Sequence, residues 1–518
     1  MRRTVSSMSW TPQTAPARGA ESAGPATDPV RGVSDRRLAA VVGLVSALVF
    51  VVLRPHLIDD TYITLSYAKN LALHGHWGLI TEGTSNTATS PLNVLALAVL
   101  TVVLREAEVA VGVLFVLTQV LLVLGLRRIG ERQGLPSWFA PVTVAVLTLN
   151  PLLISSVGLE IGLGAAALAW LLVFAAERRP LALGAVAGLV ALIRLDLLVL
   201  VAVVVLARRG AFAGALRTVA GFLGVALPWF LFSWLALGSA VPDTLVIKTL
   251  QRSWGEWSFT NGAALYWQHF PLETVLSFLP LLLAAVAGPI WLVRLLHGSV
   301  ADRELVPFAA LAVGGALHFL AYVWLDVPPY HWYYGPSIIA ATVFLLAWGA
   351  RLRARVGIAA GLVLATVSAL AYAAPGLPRD FSPITSNHAT SERYSEIGQD
   401  LGRIAQGRTV HSAGEIGALA YSCDCAIVDL FSDRGAVAPA IEESERRSGT
   451  VGRALTEANF QFFDRNQRPV APELVLEVTT GVPPAKALAT WTIHSPWAGT
   501  QQLYLVNAAD ARPPKRMW

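Results

Sequence analysis

With 518 residues, 54% of them apolar and only 14% charged, the chain carries too much apolar surface for one soluble core. The net charge of +5 does not mark a nucleic-acid binder, because the basic residues fall in short clusters between apolar blocks instead of along one face. Composition therefore argues against a soluble enzyme and a DNA- or RNA-binding protein, and points to the lipid bilayer as solvent.

Residues 1–35 are rich in Ala, Pro, Ser and Thr, lack the apolar core of a signal peptide and read as a disordered cytoplasmic tail. Arg31, Arg36 and Arg37 precede the first apolar block, about 38–53. The positive-inside rule then places the amino terminus in the cytoplasm and Asp59-Asp60 outside. Further spans are expected near 109–126, 139–156, 161–176, 181–194, 195–207, 218–237, 274–293, 305–324, 335–350 and 357–374. With these spans, Arg127-Arg128 with Arg132, Arg178-Arg179, Arg208-Arg209, Arg294 with Arg303, and Arg351 with Arg353 and Arg355 all fall on the cytoplasmic side. The parity requires the short apolar stretch 91–104 to be an interfacial or re-entrant helix; if it crosses, Arg127-Arg128 violates the rule.

The fold class is thus a polytopic α-helical protein of the plasma membrane, with about eleven transmembrane helices. Residues 36–374 form the membrane domain, and 54–108 its first extracytoplasmic loop. Composition shifts after Pro375 to ordinary charge density and strand-like alternation at 408–412, 426–431, 474–478 and 502–506. Residues 375–518 are therefore expected to be an extracytoplasmic α/β domain. Cys423 and Cys425, on that side, are either a small-loop bridge or two free thiols.

The polar residues next to the outer span ends are Asp59, Asp60, Glu160, Arg194, Asp196, Asp243, Lys248, His269 and His331. Neighbouring carboxylates repel, which raises the pKa of one and suits a general base. Asp59 and Asp60 read in that way or as caps of the helix that follows them. A transporter, the rival class, is expected to carry charges near mid-span and repeated halves; a non-catalytic envelope scaffold needs no acidic pair at the lipid boundary.

The segment DDTYITLSYAKNLALHGHWGLITEGTSNTATSPL (Asp59 to Leu92) resembles the first loop of GT-C membrane glycosyltransferases. It is most similar to that of actinobacterial terminal arabinofuranosyltransferases that use decaprenyl-phosphate arabinose, which carry DDAYI-RY-NL-G and then TSPLW. SVGLEIGL (Ser156 to Leu163), LIRLD (Leu192 to Asp196) and VPDTLVIK (Val241 to Lys248) resemble their GMET-L, TRPD and LPNTLYAK elements. GEIGALAYSCDCAIVDLFSDRG (Gly414 to Gly435) is similar to an element of their outer domain. The chain departs at Ser66, Asn86 and Asn93, where these relatives carry Arg, Glu and Trp.

The resemblance implies transfer of a sugar, with arabinofuranose the lead and mannose or another hexose the alternative. The donor is a polyprenyl phosphate and the acceptor a cell-envelope glycan or lipoglycan. It implies Asp59 or Asp60 as base and Glu160 as the second acid. For the donor phosphate the candidates are Lys248, Arg194 and His331, with rival readings as a snorkelling lysine, a partner of Asp196 and a packed aromatic respectively. Tyr62, Tyr67, Asn70, Thr89, Ser90, Asp196 and Tyr333 are expected to line the substrate. No dedicated metal motif is present, and a divalent cation on Asp59, Asp60 and Glu160 is the remaining cofactor reading.

Overall fold

The computed structural model describes residues 34–512 apart from 209, 211 and 413. Most of the expected tail, including Arg31, and also Arg209 lie outside the described residues. From Asp35 onward, the helical bundle and the carboxyl-terminal sheet domain pack as one compact unit.

The bundle begins with α1 (Asp35–Leu53) and a 3-10 turn, Arg54–His56, followed by α2 (Asp59–His74), α3 (Pro91–Leu104) and α4 (Ala107–Arg132). Next come α5 (Phe139–Leu149), the single turn α6 (Pro151–Ile154), α7 (Ile161–Ala176), α8 (Pro180–Ile193) and α9 (Leu198–Ala207). The remainder comprises α10 (Ala215–Ala236), α11 (Thr244–Gln251), α12 (Gly262–His269), α13 (Pro271–Leu296), α14 (Val300–Arg303), α15 (Val306–Leu325), α16 (Gly335–Leu352) and α17 (Ala354–Ala373).

Among the described residues, seven helical stretches are long and apolar enough to cross a membrane: Asp35–His56, Ala107–Arg132, Ala215–Ala236, Pro271–Leu296, Val306–Leu325, His331–Leu352 and Ala354–Ala373. The other expected spans are helical but shorter, because the chain breaks them locally. Pro151 lacks an N–H and disfavours helical geometry at the residue before it, so α5 stops at Leu149. Asn150 then caps the next turn, accepting from the N–H groups of Leu152 and Leu153. Arg194, in extended backbone, separates α8 from a 3-10 turn, Leu195–Leu197, and α9. The stretch 91–104 is a 14-residue helix ending at Arg105 in left-handed geometry. Val99 and Val103 on it are exposed, as a lipid-facing surface requires.

Close helix approach depends on glycine. A Cβ on Gly184 of α8 would stand 1.9 Å from the Thr218 carbonyl oxygen of α10, and one on Gly221 would stand 2.3 Å from that of Leu181. These two helices therefore meet backbone to backbone, as membrane helices with small residues at their interface do.

The sheet domain runs α18 (Ser391–Ala405), β1 (Val410–Ser412), α19 (Gly417–Cys423), β2 (Ile427–Val428), α20 (Arg434–Arg447), α21 (Thr450–Asn459), β3 (Leu474–Thr479), β4 (Ala489–Ser495) and β5 (Gly499–Asn507). Tyr394, Ile397, Leu401 and Ala405 bury one face of α18 at helical spacing. Thr390 caps that helix by accepting from the Arg393 N–H at 3.1 Å. The sheet order is β2-β1-β3-β5-β4, parallel from β2 to β3 and antiparallel from β3 through β5 to β4. All four expected strands are present. The fifth, β4, escaped the sequence reading although Trp491, Ile493 and Ser495 alternate inward along it. Cys423 and Cys425 are bridged. The molecule is a multi-pass helical membrane protein with a carboxyl-terminal α/β domain.

Candidate active site

Two adjacent acids open α2, and the structure gives them different surroundings. Ile58 enters in extended backbone, which starts the helix at Asp59. Asp59 is 5% exposed, and its carboxylate accepts from the N–H groups of Gly417 and Ala418 at 2.8 Å each. It therefore caps α19 of the sheet domain. Only glycine fits at 417, since a Cβ there would stand 2.0 Å from the Asp59 carbonyl oxygen.

Behind Asp59, the Asn387 side chain accepts from the Asp59 N–H at 3.3 Å and donates to Glu415 at 2.6 Å. The His388 N–H also donates to Glu415, at 3.0 Å. Burial, and for Asp59 the nearby Glu415 carboxyl, push both acids well above the usual carboxylate range, although the backbone donors pull the other way.

Asp60 is half-buried. Among the described residues, no side chain hydrogen-bonds its carboxylate. Burial pushes its pKa up to about 6; Lys248 opposes the rise, and Asp59 and Glu160 add to it.

Lys248, on α11, holds its Nζ 3.7 Å from the ring centre of Tyr330. Tyr333, Trp332 and Phe431 complete a cage at 5.5, 5.8 and 5.9 Å. Cation–π attraction of this kind retains an ammonium without consuming its charge. Among the described residues it has no salt-bridge partner. Phe431 comes from the sheet domain, whose backbone is tied to the first loop by a 2.7 Å bond from the Thr87 hydroxyl to the Phe431 carbonyl.

The other expected phosphate ligands are otherwise engaged. Arg194 is 7% exposed; it donates to Glu160 at 2.7 Å, to Tyr322 at 2.7 Å and to Asp196 through Nε and Nη2. Asp196 also accepts from the Tyr322 hydroxyl at 2.6 Å and lies 3.0 Å from His318 Nε2. This is an ion-paired network of one guanidinium and two carboxylates, and it fits the pairing reading of Arg194, with Glu160 and Asp196 as its counter-ions. His318 lies within α15, so an ionisable side chain sits inside a span and not only at span ends. His331 is 1% exposed and packs edge-on against Tyr266 and Trp332, which fits its packing reading.

Several expected substrate contacts are structural. Tyr67 bonds Ser85 and Thr87, and Asn70 donates to the carbonyls of Gly78 and Leu79, so both knit the first loop. Tyr62 is buried and donates to Glu108. Ser90 is buried at the start of α3, Thr89 is exposed, and Tyr333 lies beneath Lys248. Of the departures noted in the sequence, Asn86 donates to Ser233 and Ser239, and Asn93 donates to the Gly158 carbonyl; Ser66 is buried.

The structure gives Asp243, one of the outer polar residues of the sequence, a partner that the sequence did not single out. Asp243, 0% exposed, accepts from Ser239 at 2.7 Å and lies 3.5 Å from Arg434 of the sheet domain. Burial pushes the Asp243 pKa up to about 6 against the pull of Arg434. The Asp243 N–H donates to the Asn86 carbonyl at 2.8 Å, so the root of α11, and with it Lys248, is pinned to the first loop. Glu415 and Arg434 lie in the Gly414 to Gly435 stretch, where charged residues among glycines were their only signal.

Of the three acids considered for a divalent cation, Asp59 caps α19 and Glu160 pairs with Arg194. Among the described residues, no group of three His, Cys, Asp or Glu side chains is placed to hold a metal ion.

The fold and site define a multi-pass membrane protein whose sheet domain covers a carboxylate–lysine centre. No family model matches the chain, and no curated protein matches it. Among solved structures, the crystal structure of ArnT from Cupriavidus metallidurans bound to undecaprenyl phosphate aligns over 92% of this chain and 98% of its own, at 16% identity and a TM-score of 0.47. That degree of likeness assigns no role to any residue.

Proposed function

We propose that the chain is a GT-C-type glycosyltransferase that moves a sugar from a polyprenyl-phosphate donor to a cell-envelope glycan on the extracytoplasmic face. The observation that carries this reading is the juxtaposition of Asp60, half-buried and without a side-chain partner, with an unpaired Lys248 under the sheet domain. An acceptor hydroxyl gives its proton to Asp60 as its oxygen bonds to the anomeric carbon. The bond from that carbon to the phosphate oxygen breaks, and the electron pair leaves with the polyprenyl phosphate, whose charge Lys248 meets. Arabinofuranose is the lead sugar from the sequence resemblance, with mannose or another hexose the alternative.

An apolar cavity of about 60 Å³, lined by Leu122, Leu159 and Ile161 among others, lies beside Glu160 and suits part of a prenyl chain. The buried Arg194 is already paired with Glu160 and Asp196, so it is not a free cation for a transported anion. The test supplies purified enzyme with polyprenyl-phosphate arabinofuranose and polyprenyl-phosphate mannose, each radiolabelled. Transfer from one of them, lost in Asp60→Asn, is the expected result. Full transfer by Asp60→Asn removes the mechanism, and lipid translocation without transfer replaces it with transport.

A further inference from the structure

The segment Arg252 to Gly262, RSWGEWSFTNG, forms a rigid turn between α11 and α12. The Trp254 N–H donates to the Trp257 carbonyl at 2.8 Å, and the Trp257 N–H donates back at 3.1 Å. Gly255 turns between them at φ +64°, a conformation that favours glycine. Asn261 accepts from the Ser258 N–H at 2.8 Å and donates to the Glu256 carbonyl at 2.9 Å.

What this turn presents is Trp254, edge-on to Tyr330 with ring centres 4.8 Å apart. Tyr330 is the ring beneath Lys248. Beyond Trp254 stands Trp497, at the tip of the β4–β5 hairpin, 6.4 Å away. Trp497 in turn lies 4.4 Å from His269, with the rings inclined by 32°. A row of rings therefore leads from the Lys248 cage outward, built jointly by the membrane domain and the sheet domain.

Tyr330 and Trp497 pack against the main core on one side, but core packing does not account for the faces the row leaves open. Trp254 and Trp497 are only half-buried and His269 is exposed, with exposed Arg252, Glu256 and Gln268 around them. Nor is it a belt of lipid-facing tryptophans, because one of its rings belongs to a hairpin of the sheet domain. Its inner end is electrically close to the acid, as the charge of Asp60 acts on both Tyr330 and Tyr266.

Partly exposed aromatic faces with charged hydrogen-bonding neighbours match the chemistry of a carbohydrate. The C–H faces of a sugar ring pack on π surfaces while its hydroxyls bond the rim. We propose that Trp254 and Trp497 form the binding subsite for an acceptor glycan chain, which lies along the row and delivers its terminal hydroxyl to Asp60. This assignment rests on the glycosyl-transfer reading above.

The test uses the purified full chain with synthetic linear hexasaccharides of arabinofuranose and of mannopyranose. Quenching of intrinsic tryptophan fluorescence by one of them, without donor, is expected in the wild type and absent in the Trp254→Ala/Trp497→Ala variant. In transfer assays each single Ala variant raises the acceptor KM about tenfold. The kcat at saturating acceptor and the KM for the lipid-linked donor stay within twofold of wild type. Phe at either position restores most of the acceptor affinity, which separates stacking from a folding defect. Transfer with an unchanged acceptor KM overturns the subsite and leaves the glycosyl-transfer reading standing. Oligosaccharide quenching without any transfer supports the subsite and overturns that reading instead. A rise confined to the donor KM assigns the row to the lipid and overturns the proposal.

Discussion

Asp59→Ala takes the acceptor away from two buried N–H groups at once, those of Gly417 and Ala418. A buried donor left without a partner costs about 1–3 kcal/mol, so the loss comes to about 2–6 kcal/mol of sheet-domain docking. Asp59→Asn keeps one carbonyl acceptor and is expected to lose about half of that. Asp60→Asn removes no such bond and is expected to leave docking within about 0.5 kcal/mol of wild type while abolishing transfer.

Docking is read by limited proteolysis of the sheet domain in detergent and by the thermal midpoint, both followed against pH. The folded-state pKa of Asp59 is raised. Its favourable contribution is therefore complete below the unfolded value and fades as pH rises through the folded value. The gap between wild type and Asp59→Asn accordingly narrows toward alkaline pH. Equal stability of Asp59→Ala and wild type, with activity lost in both Asp variants alike, would refute the division of labour between the two acids.

On the proposed mechanism Asp60 takes the proton only when ionised, so transfer is expected to rise with pH through about 6 and then level off. Lys248→Met removes the attraction that opposes the raised pKa, and the inflection of the rate–pH curve moves upward. The same substitution lowers kcat/KM for the lipid donor by roughly 10²–10³-fold through loss of phosphate stabilisation, measured with labelled donor under single-turnover conditions. Arg434→Met strands Asp243 without its buried partner and costs about 3–5 kcal/mol, and adding Asp243→Asn recovers most of it in the thermal midpoint. His331→Phe leaves the donor KM unchanged, because a 1%-exposed ring does not reach a headgroup.

The seven long helices were legible because each is an apolar block near the length of hydrocarbon, flanked by Arg clusters. The shorter ones were legible as helices but not in extent, since Asn150-Pro151 and Arg194 cut runs that hydropathy joins. The Arg194–Asp196 pair is two residues apart and could be read locally. Its third and fourth partners, Glu160 and His318, meet it only through tertiary packing across three helices. The same limit governed Asp59 and Asp60. Adjacent carboxylates look alike in a sequence, and they differ only because α19, encoded far downstream, docks on one of them. The cage around Lys248 comes largely from the aromatic run Tyr330 to Tyr333, while Phe431 and Arg434 were legible only as members of the Gly414 to Gly435 stretch. β4 alternates as strands do but lies between loop-rich stretches, which masked it.

The bond between Asp59 and Ala418 spans 359 positions of chain. The ribosome makes the acid early and its helical partner late, after every span has been laid down. Until the stretch from Gly417 to Phe431 has been made, Asp59 lacks both of its donors and the Lys248 cage lacks Phe431. A chain cut before Gly417 is therefore expected to leave both the acid and the lysine without contacts that fix them.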